Sequence, residues 1–222
     1  MSRLIAPLLF GLGGFAILVS LAVWQVQRLA WKEALIAEMT AKMDAAPVPL
    51  PEDPQAGTHG FMSTAVEGRF VGEALHVLTS ARPGGPGFRV ISAFETSDGR
   101  RVMVDRGYVP EAEKDRVWPN GPMDVTATLL WPEEVDSFTP APNLERNIWF
   151  ARDLTAMSEL LRTEPVLLVA QSTTVTPSPR PLRVGVNLSN NHLQYAITWS
   201  LLAALWLAMT GYLVYRVRKN TL

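Results

Sequence analysis

Apolar residues along this chain fall into two continuous blocks near its ends, with an alternating pattern between them. The first block runs from Leu4 to Val26, with Arg3 before it and Arg28 as the next charge. The second lies within Val184–Tyr215, which contains no Asp, Glu, Lys or Arg and whose apolar body is Leu193–Tyr215. At about 1.5 Å per residue each block crosses a hydrocarbon core of about 30 Å, so transmembrane helices are predicted over residues 4–26 and 192–215. Helical spacing persists after the first block, where Leu29, Leu35, Ile36, Met39 and Met43 recur with charges between them, and a helical extension is expected over 27–46. Four prolines between Pro47 and Pro54 cannot continue a helix, which makes 47–54 a stiff linker.

The intervening residues 55–189 change period. Ala65–Val71 and Ala74–Thr79 read as short strands, bounded by Gly72 and by the Pro83–Gly87 turn cluster. Phe88–Glu95 and Arg101–Val109 alternate on either side of Ser97-Asp98-Gly99, a strong hairpin signal. Val125–Leu130 and Val166–Ala170 add strands, and Asp153 can cap a helix whose Leu154, Met157, Leu160 and Leu161 make one apolar face. The expected class is α+β: two transmembrane helices flanking a mainly antiparallel β extracytoplasmic domain with one covering helix.

Charge sets the orientation. Arg216, Arg218 and Lys219 follow the second span directly and place the tail, residues 216–222, in the cytoplasm. Two spans return the amino terminus to that side and put the β domain outside. A cleaved signal peptide competes for the first block, since Ser20-Leu21-Ala22 offers small residues, but the long apolar run and the sparse positive n-region favour an uncleaved anchor. A span beginning at residue 4 leaves no room for an Arg- and Ser-rich transit peptide. The expected address is the bacterial cytoplasmic membrane, multi-pass, with both termini cytoplasmic and a periplasmic central domain.

Composition narrows the chemistry. A formal charge of −1 over 222 residues lacks the basic excess of a nucleic-acid binder. No cysteine is present, which removes disulfides, thiol nucleophiles and thiolate metal sites. His59 and His76 stand without carboxylates at metal-motif spacing, and no nucleophile elbow or phosphate loop occurs. Asp105-Arg106-Gly107 reads as an ion pair at a strand end, and Asn187-Leu188-Ser189 matches a glycosylation acceptor that is meaningless without a eukaryotic secretory route. The residues do not point to an enzyme.

The remaining candidate is His192, where the polar segment Asn190-Asn191 becomes the second span. At helical spacing His192, Tyr195, Ala196, Trp199, Ala203 and Trp206 share roughly one stripe, an imidazole over an aromatic and small-residue groove. Histidine is a common metal and haem-iron ligand, and polar groups at membrane depth are costly. An interfacial helix cap with packing or lipid-facing tryptophans accounts for the same residues. Arg28 and Lys32, one turn apart beyond the first span, form a cationic pair for which anchoring to lipid headgroups is the ordinary role.

Four blocks in order resemble the surfeit-locus protein 1 family, assembly factors of haem-copper cytochrome c oxidase. They are Trp24-Gln25 through Arg28-Leu29-Ala30-Trp31-Lys32, then Val104-Asp105-Arg106-Gly107-Tyr108-Val109-Pro110, then Asn147-Ile148-Trp149-Phe150-Ala151-Arg152-Asp153, then Asn190-Asn191-His192 through Trp199. Tyr108 stands where many members carry tryptophan. The resemblance implies a role in maturing oxidase subunit I, with haem a synthase or other assembly factors as further partners. For a bacterial member it implies haem a binding, with the histidine at the mouth of the second span, His192, as iron ligand. Trp199 and Tyr195, on the same stripe of that helix, are then the expected contacts beside it, and Arg28, Lys32, Arg180 and Arg183 are the nearest cations by topology for the propionates. A haem-free scaffold gripping subunit I is the competing function. A tethered periplasmic hydrolase or ligand-binding module is a third, and it requires a convergent polar pocket in the outer domain.

Overall fold

In the computed structural model, which describes residues 2–174, 178–185 and 189–219, the chain runs α1 (Ser2–Asp44), β1 (Val48–Pro49), α2 (Ala56–His59), β2 (Ser63–Ala81), β3 (Gly85–Thr96), β4 (Arg101–Pro110), a short 3-10 turn (Glu111–Glu113), β5 (Pro122–Leu130), α3 (Leu154–Leu161), β6 (Leu167–Thr173) and α4 (His192–Lys219). It divides into two units, Met1–Glu38 with Val186–Leu222, and Met39–Gly185. The fold is α+β with a mixed sheet and two long apolar helices. The glycosylation match at residues 187–189 and the end of the tail at 220–222 fall wholly or partly outside the described residues.

The first unit is built on α1 and α4. Both are long and apolar enough to cross a membrane, with mean hydropathy of 2.3 and 1.6 over their most apolar windows. α1 is one uninterrupted helix of 43 residues, so the apolar block and the polar extension share an axis. Large apolar side chains such as Leu9, Phe10, Leu201 and Leu205 are exposed on the outer faces, as lipid contact requires. The facing sides carry small residues, with Ala22, Ala196 and Ala203 buried. Approach is closest at two glycines: a Cβ at Gly14 would lie 2.5 Å from the Trp206 indole, and one at Gly11 would lie 2.0 Å from the Thr210 methyl. That is the small-residue logic of membrane helix pairs, in which dispersion between close backbones replaces the hydrophobic effect. Trp206 Nε1 donates to the Gly11 carbonyl at 2.9 Å, and the hydroxyls of Ser20, Thr198, Ser200 and Thr210 each donate to the carbonyl four residues back.

The second unit is a β structure whose ladder closes on itself. The order is β1-β2-β3-β4-β6-β5, and β5 pairs again with β2. Closure depends on the length of β2, 19 residues: its first part, Ser63–Arg69, pairs with β5, while Gly68–Ala81 pairs with β3. Where two short strands are expected from the sequence, there is thus one long strand with a register shift between Val71 and Leu75. Most pairings are antiparallel, but β4–β6 and β1–β2 are parallel. β1 comes from the proline-rich segment, which pairs Val48 with Thr64 and is held by Thr64 Oγ1 donating to the Val48 carbonyl at 2.8 Å, so this linker also forms an edge of the sheet.

Alternation sorts the apolar residues to two faces. Val102, Val104, Val125, Ala127, Leu129, Leu168 and Ala170 fill the inner cluster with Phe70 and Phe94. Met103, Leu167, Val169, Ile91 and Ala93 fill the outer one, beneath Met157 and Leu161 of α3 and Trp149. Asp153 caps α3 by accepting from Ala156 N at 3.0 Å. Leu160, expected on the apolar face of this helix, is instead exposed. β4 is buried on both faces from Val102 to Val109, so both sets of its alternating side chains are packed.

Candidate functional site

The mouth of α4 gathers polar groups from both helices of the first unit. His192 is the first residue of α4, where backbone N–H groups lack helical partners, and Tyr195 N closes the first turn on the Asn191 carbonyl at 3.2 Å. The His192 ring is partly buried, and its Nδ1 lies 2.7 Å from Oε1 of Gln25. Gln25 is itself buried, one turn from Ala22 on the inward side of α1. A carbonyl oxygen can only accept, so Nδ1 carries the proton, and the neutral ring then presents Nε2 with a free lone pair. No protein group among the described residues is bonded to Nε2. The helix pair thereby fixes the tautomer and orientation of an imidazole at the end of an apolar span.

Around it, Lys32 Nζ donates to the Ser189 carbonyl and ties the segment entering α4 to α1. Arg28 stacks its guanidinium over the exposed Trp31 ring at 3.9 Å. Asn190 Oδ1 is buried without a hydrogen-bond partner among the described residues. Trp199 is partly buried between the levels of Ala196 and Ala203, whereas Tyr195 is 53% exposed. The group that holds the imidazole is Gln25, on the facing helix. Its sequence signal is a lone amide in an apolar block, three residues after Ala22 and eleven after Gly14, the rhythm of a helix–helix seam.

Arg180 and Arg183 belong to the β unit. Arg180 exchanges backbone hydrogen bonds with Tyr108 at 2.7 and 2.9 Å, and its guanidinium lies 5.0 Å from the Tyr108 ring centre. Tyr108 in turn donates to the Gly85 and Pro86 carbonyls at 3.2 Å. Asp105 and Arg106 do not pair with each other, because neighbours on a strand face opposite sides. Asp105, fully buried, accepts from Arg89 at 2.6 Å and from Gly107 N at 3.0 Å, with Arg152 at 3.7 Å. Arg106 lies over Phe70 at 3.9 Å and donates to the Pro119 carbonyl at 2.9 Å; burial brings its guanidinium down to about 10, so it stays charged at neutral pH. His59 Nδ1 accepts from Gln55 N at 2.9 Å, and His76 is buried in β2. Among the described residues no cluster of His, Cys, Asp or Glu is arranged to hold a metal ion.

Known proteins resemble the chain over nearly its whole length. The SURF1 family model matches residues 12–204, and so takes in most of α1, the β unit and the first part of α4. Surfeit locus protein 1 of Rattus norvegicus is 33% identical over 222 residues, covering 88% of this chain and 70% of that protein. The Homo sapiens protein of the same name is 33% identical over 220 residues, covering 88% and 72%. A SURF1-like protein of Drosophila melanogaster is 30% identical over 243 residues, covering 96% and 78%. With matches of this extent spanning the Gln25–His192 pair and the closed β unit alike, the chain belongs to the SURF1 family.

Proposed function

We propose that the chain is an assembly factor of haem-copper cytochrome c oxidase that holds haem a at the outer membrane face and assists its delivery to, or stabilisation in, subunit I. The observation that carries this reading is the Gln25–His192 hydrogen bond, which leaves Nε2 of a partly exposed imidazole free at the end of an apolar span. The residues present fit the group: one oriented neutral imidazole for iron, and Arg28 and Lys32 one turn apart for propionates. Lys32 uses one of its three donors on Ser189, which leaves two. Haem a bound here supplies an iron centre, and its farnesyl tail favours lipid over water. Trp199 lies about 10 Å further along α4, at 1.5 Å per residue, and contributes an aromatic contact; Tyr195 contributes a rim. A single strong protein ligand favours release to a partner, whereas two would retain the haem.

The setting follows from charge. Arg216, Arg218 and Lys219 hold the end of α4 in the cytoplasm, so the His192 end and the β unit face the periplasm of a bacterial inner membrane. Subunit I is the recipient, with haem a synthase or other assembly factors as neighbours. The protein's part is binding and orientation rather than catalysis.

The test is His192→Ala in purified protein co-expressed with haem a synthesis. Loss of haem and a displaced Soret band are expected, with Trp199→Phe losing less; unchanged occupancy and spectrum in His192→Ala defeat the assignment. One observation favours a haem-free scaffold instead. The Gln25–His192 and Trp206–Gly11 hydrogen bonds satisfy both helices without any ligand. A preparation that stays colourless under the same co-expression, yet still captures subunit I, decides for the scaffold.

A further inference from the structure

Around the Asn147-Ile148-Trp149 block the β unit departs from regular geometry at several points that meet in one cleft, of about 490 Å³. β2 loses register with β3 between Val71 and Leu75, and Gly72 takes a φ of 72° there, so residues 72–74 have no partner on β3. Asn147, at a φ of 49° that side chains other than glycine rarely adopt, clamps this bulge: its Nδ2 donates to the Ala74 carbonyl at 2.7 Å. Bulges and left-handed residues held by specific hydrogen bonds concentrate at binding sites.

Among the described residues, two donors of the cleft lack acceptors. Arg101 Nε and Trp149 Nε1 are buried without hydrogen-bond partners. Among the described residues neither Arg101 nor Arg162 has a carboxylate within ion-pairing distance, in contrast to Arg89, Arg100 and Arg152 of the same unit. Gly72 leaves the approach to Arg101 open, since even an added Cβ would stand 3.9 Å from Nη2. Glu73 on the rim is exposed, so its charge is screened and the two arginines leave an excess of positive charge. The apolar part of the site is equally distinct: Leu144 and Leu160 are 63% and 54% exposed on the rim, over a buried floor that includes Leu161.

We infer that this cleft binds the carboxyl-terminal segment of a polypeptide ending in an apolar residue. The terminal carboxylate takes the Arg101 guanidinium through its Nη groups and is shared with Arg162; the last side chain enters between Leu144 and Leu160; the peptide backbone meets the bulge at Gly72 and Glu73. Donors without acceptors select an anion, and the leucine rim selects one with an apolar body over a free phosphate. The inference is independent of haem binding and assigns the Asn147-Ile148-Trp149 block, which the membrane site does not use, to partner recognition.

The test uses the full chain in lipid nanodiscs and labelled pentapeptides ending in leucine, phenylalanine or valine, each as the free acid and as the amide, read by fluorescence anisotropy. Saturable binding of an apolar-ended acid is expected, weakened about tenfold or more by amidation, by Arg101→Gln and by Arg162→Gln, as for loss of a charge-assisted hydrogen bond. Arg162 is exposed, so its variant keeps the charge test intact should Arg101→Gln fail to fold. Equal binding of acid and amide, absence of saturable binding for every peptide, or equally effective displacement by inorganic phosphate or by octanoate overturns the inference; the last two outcomes reassign the cleft to small anions or fatty acids.

Discussion

Gln25 and His192, 167 residues apart in sequence, share a 2.7 Å hydrogen bond between the two apolar helices of one unit. Each would be costly alone at membrane depth, and each satisfies the other. The bond also decides which ring nitrogen is free. If His192 holds haem a as proposed, Gln25→Leu, which removes the acceptor without shrinking the side chain, is expected to weaken haem a retention about 10- to 100-fold, the usual effect of losing a group that orients a metal-binding histidine. Spectral titration of the purified variant measures it. An affinity equal to that of the parent would show that Gln25 serves only to join the helices.

The helix seam makes a prediction of its own. Gly14→Val forces a side chain into the Trp206 indole, already 2.5 Å from where a Cβ would lie, and is expected to destabilise the pair by about 1–3 kcal/mol. Trp206→Phe removes one hydrogen bond to the Gly11 carbonyl, a loss of about 0.6 kcal/mol in a membrane helix pair. Thermal unfolding in detergent, followed by helical circular dichroism, should rank Gly14→Val as the more damaging. The opposite ranking would contradict a close helix approach at Gly14.

Asp105 and Glu134 both contact Arg152, yet their loss should differ. Asp105 is fully buried and also holds Arg89, so Asp105→Asn leaves buried guanidinium charge uncompensated and is expected to cost about 3–5 kcal/mol. The Glu134 side chain is 39% exposed, and Glu134→Gln should cost about 0–1 kcal/mol. Urea titration of the β signal resolves the two. Equal effects would mean that water reaches the Asp105 site.

Burial, reinforced by the Lys114 charge and only partly offset by Asp115, lowers the His76 imidazole below its ordinary value of 6.5. The folded protein therefore binds this proton less readily than the unfolded chain. Stability from this group is complete above about pH 6.5 and declines as pH falls below it, at no more than about 1.4 kcal/mol per pH unit, until the native ring protonates. His76→Phe should flatten the part of the profile just below about pH 6.5. Losses tied to Glu134 come lower. Burial alone would raise its carboxyl, but the Arg152 hydrogen bond and charge outweigh this and hold it below 4.5, so that contribution disappears as pH falls through the carboxylate range. A profile with His76→Phe parallel to the parent below about pH 6.5 would remove His76 from the account.

Much of this architecture was legible because it is local. Uninterrupted apolar runs gave α1 and α4, the Asp98-Gly99 turn gave the β3–β4 hairpin, and Asp153 gave the start of α3. What the sequence concealed depends on contacts distant along the chain. Nothing local says that β2 continues through Gly72 or that it pairs with β5, because a bulge looks like a strand boundary and closure depends on partners some sixty residues away, such as Ser63 and Thr128. The same holds at the site. His192 stands out by its position, but its partner Gln25 is one amide among apolar residues until the two helices are brought together. Asp105 and Arg106 misled for the converse reason: adjacency in sequence puts them on opposite faces of β4.

Closure of the β2–β3–β4–β6–β5 ladder carries a dynamic consequence. Every member of that ring is hydrogen-bonded on two sides, so none can detach by fraying from a free margin. Amide protons of the five strands should then exchange with solvent in one collective opening of the whole ring, while the Val48 amide of β1, a strand bonded along one side only, exchanges ahead of them through local breathing.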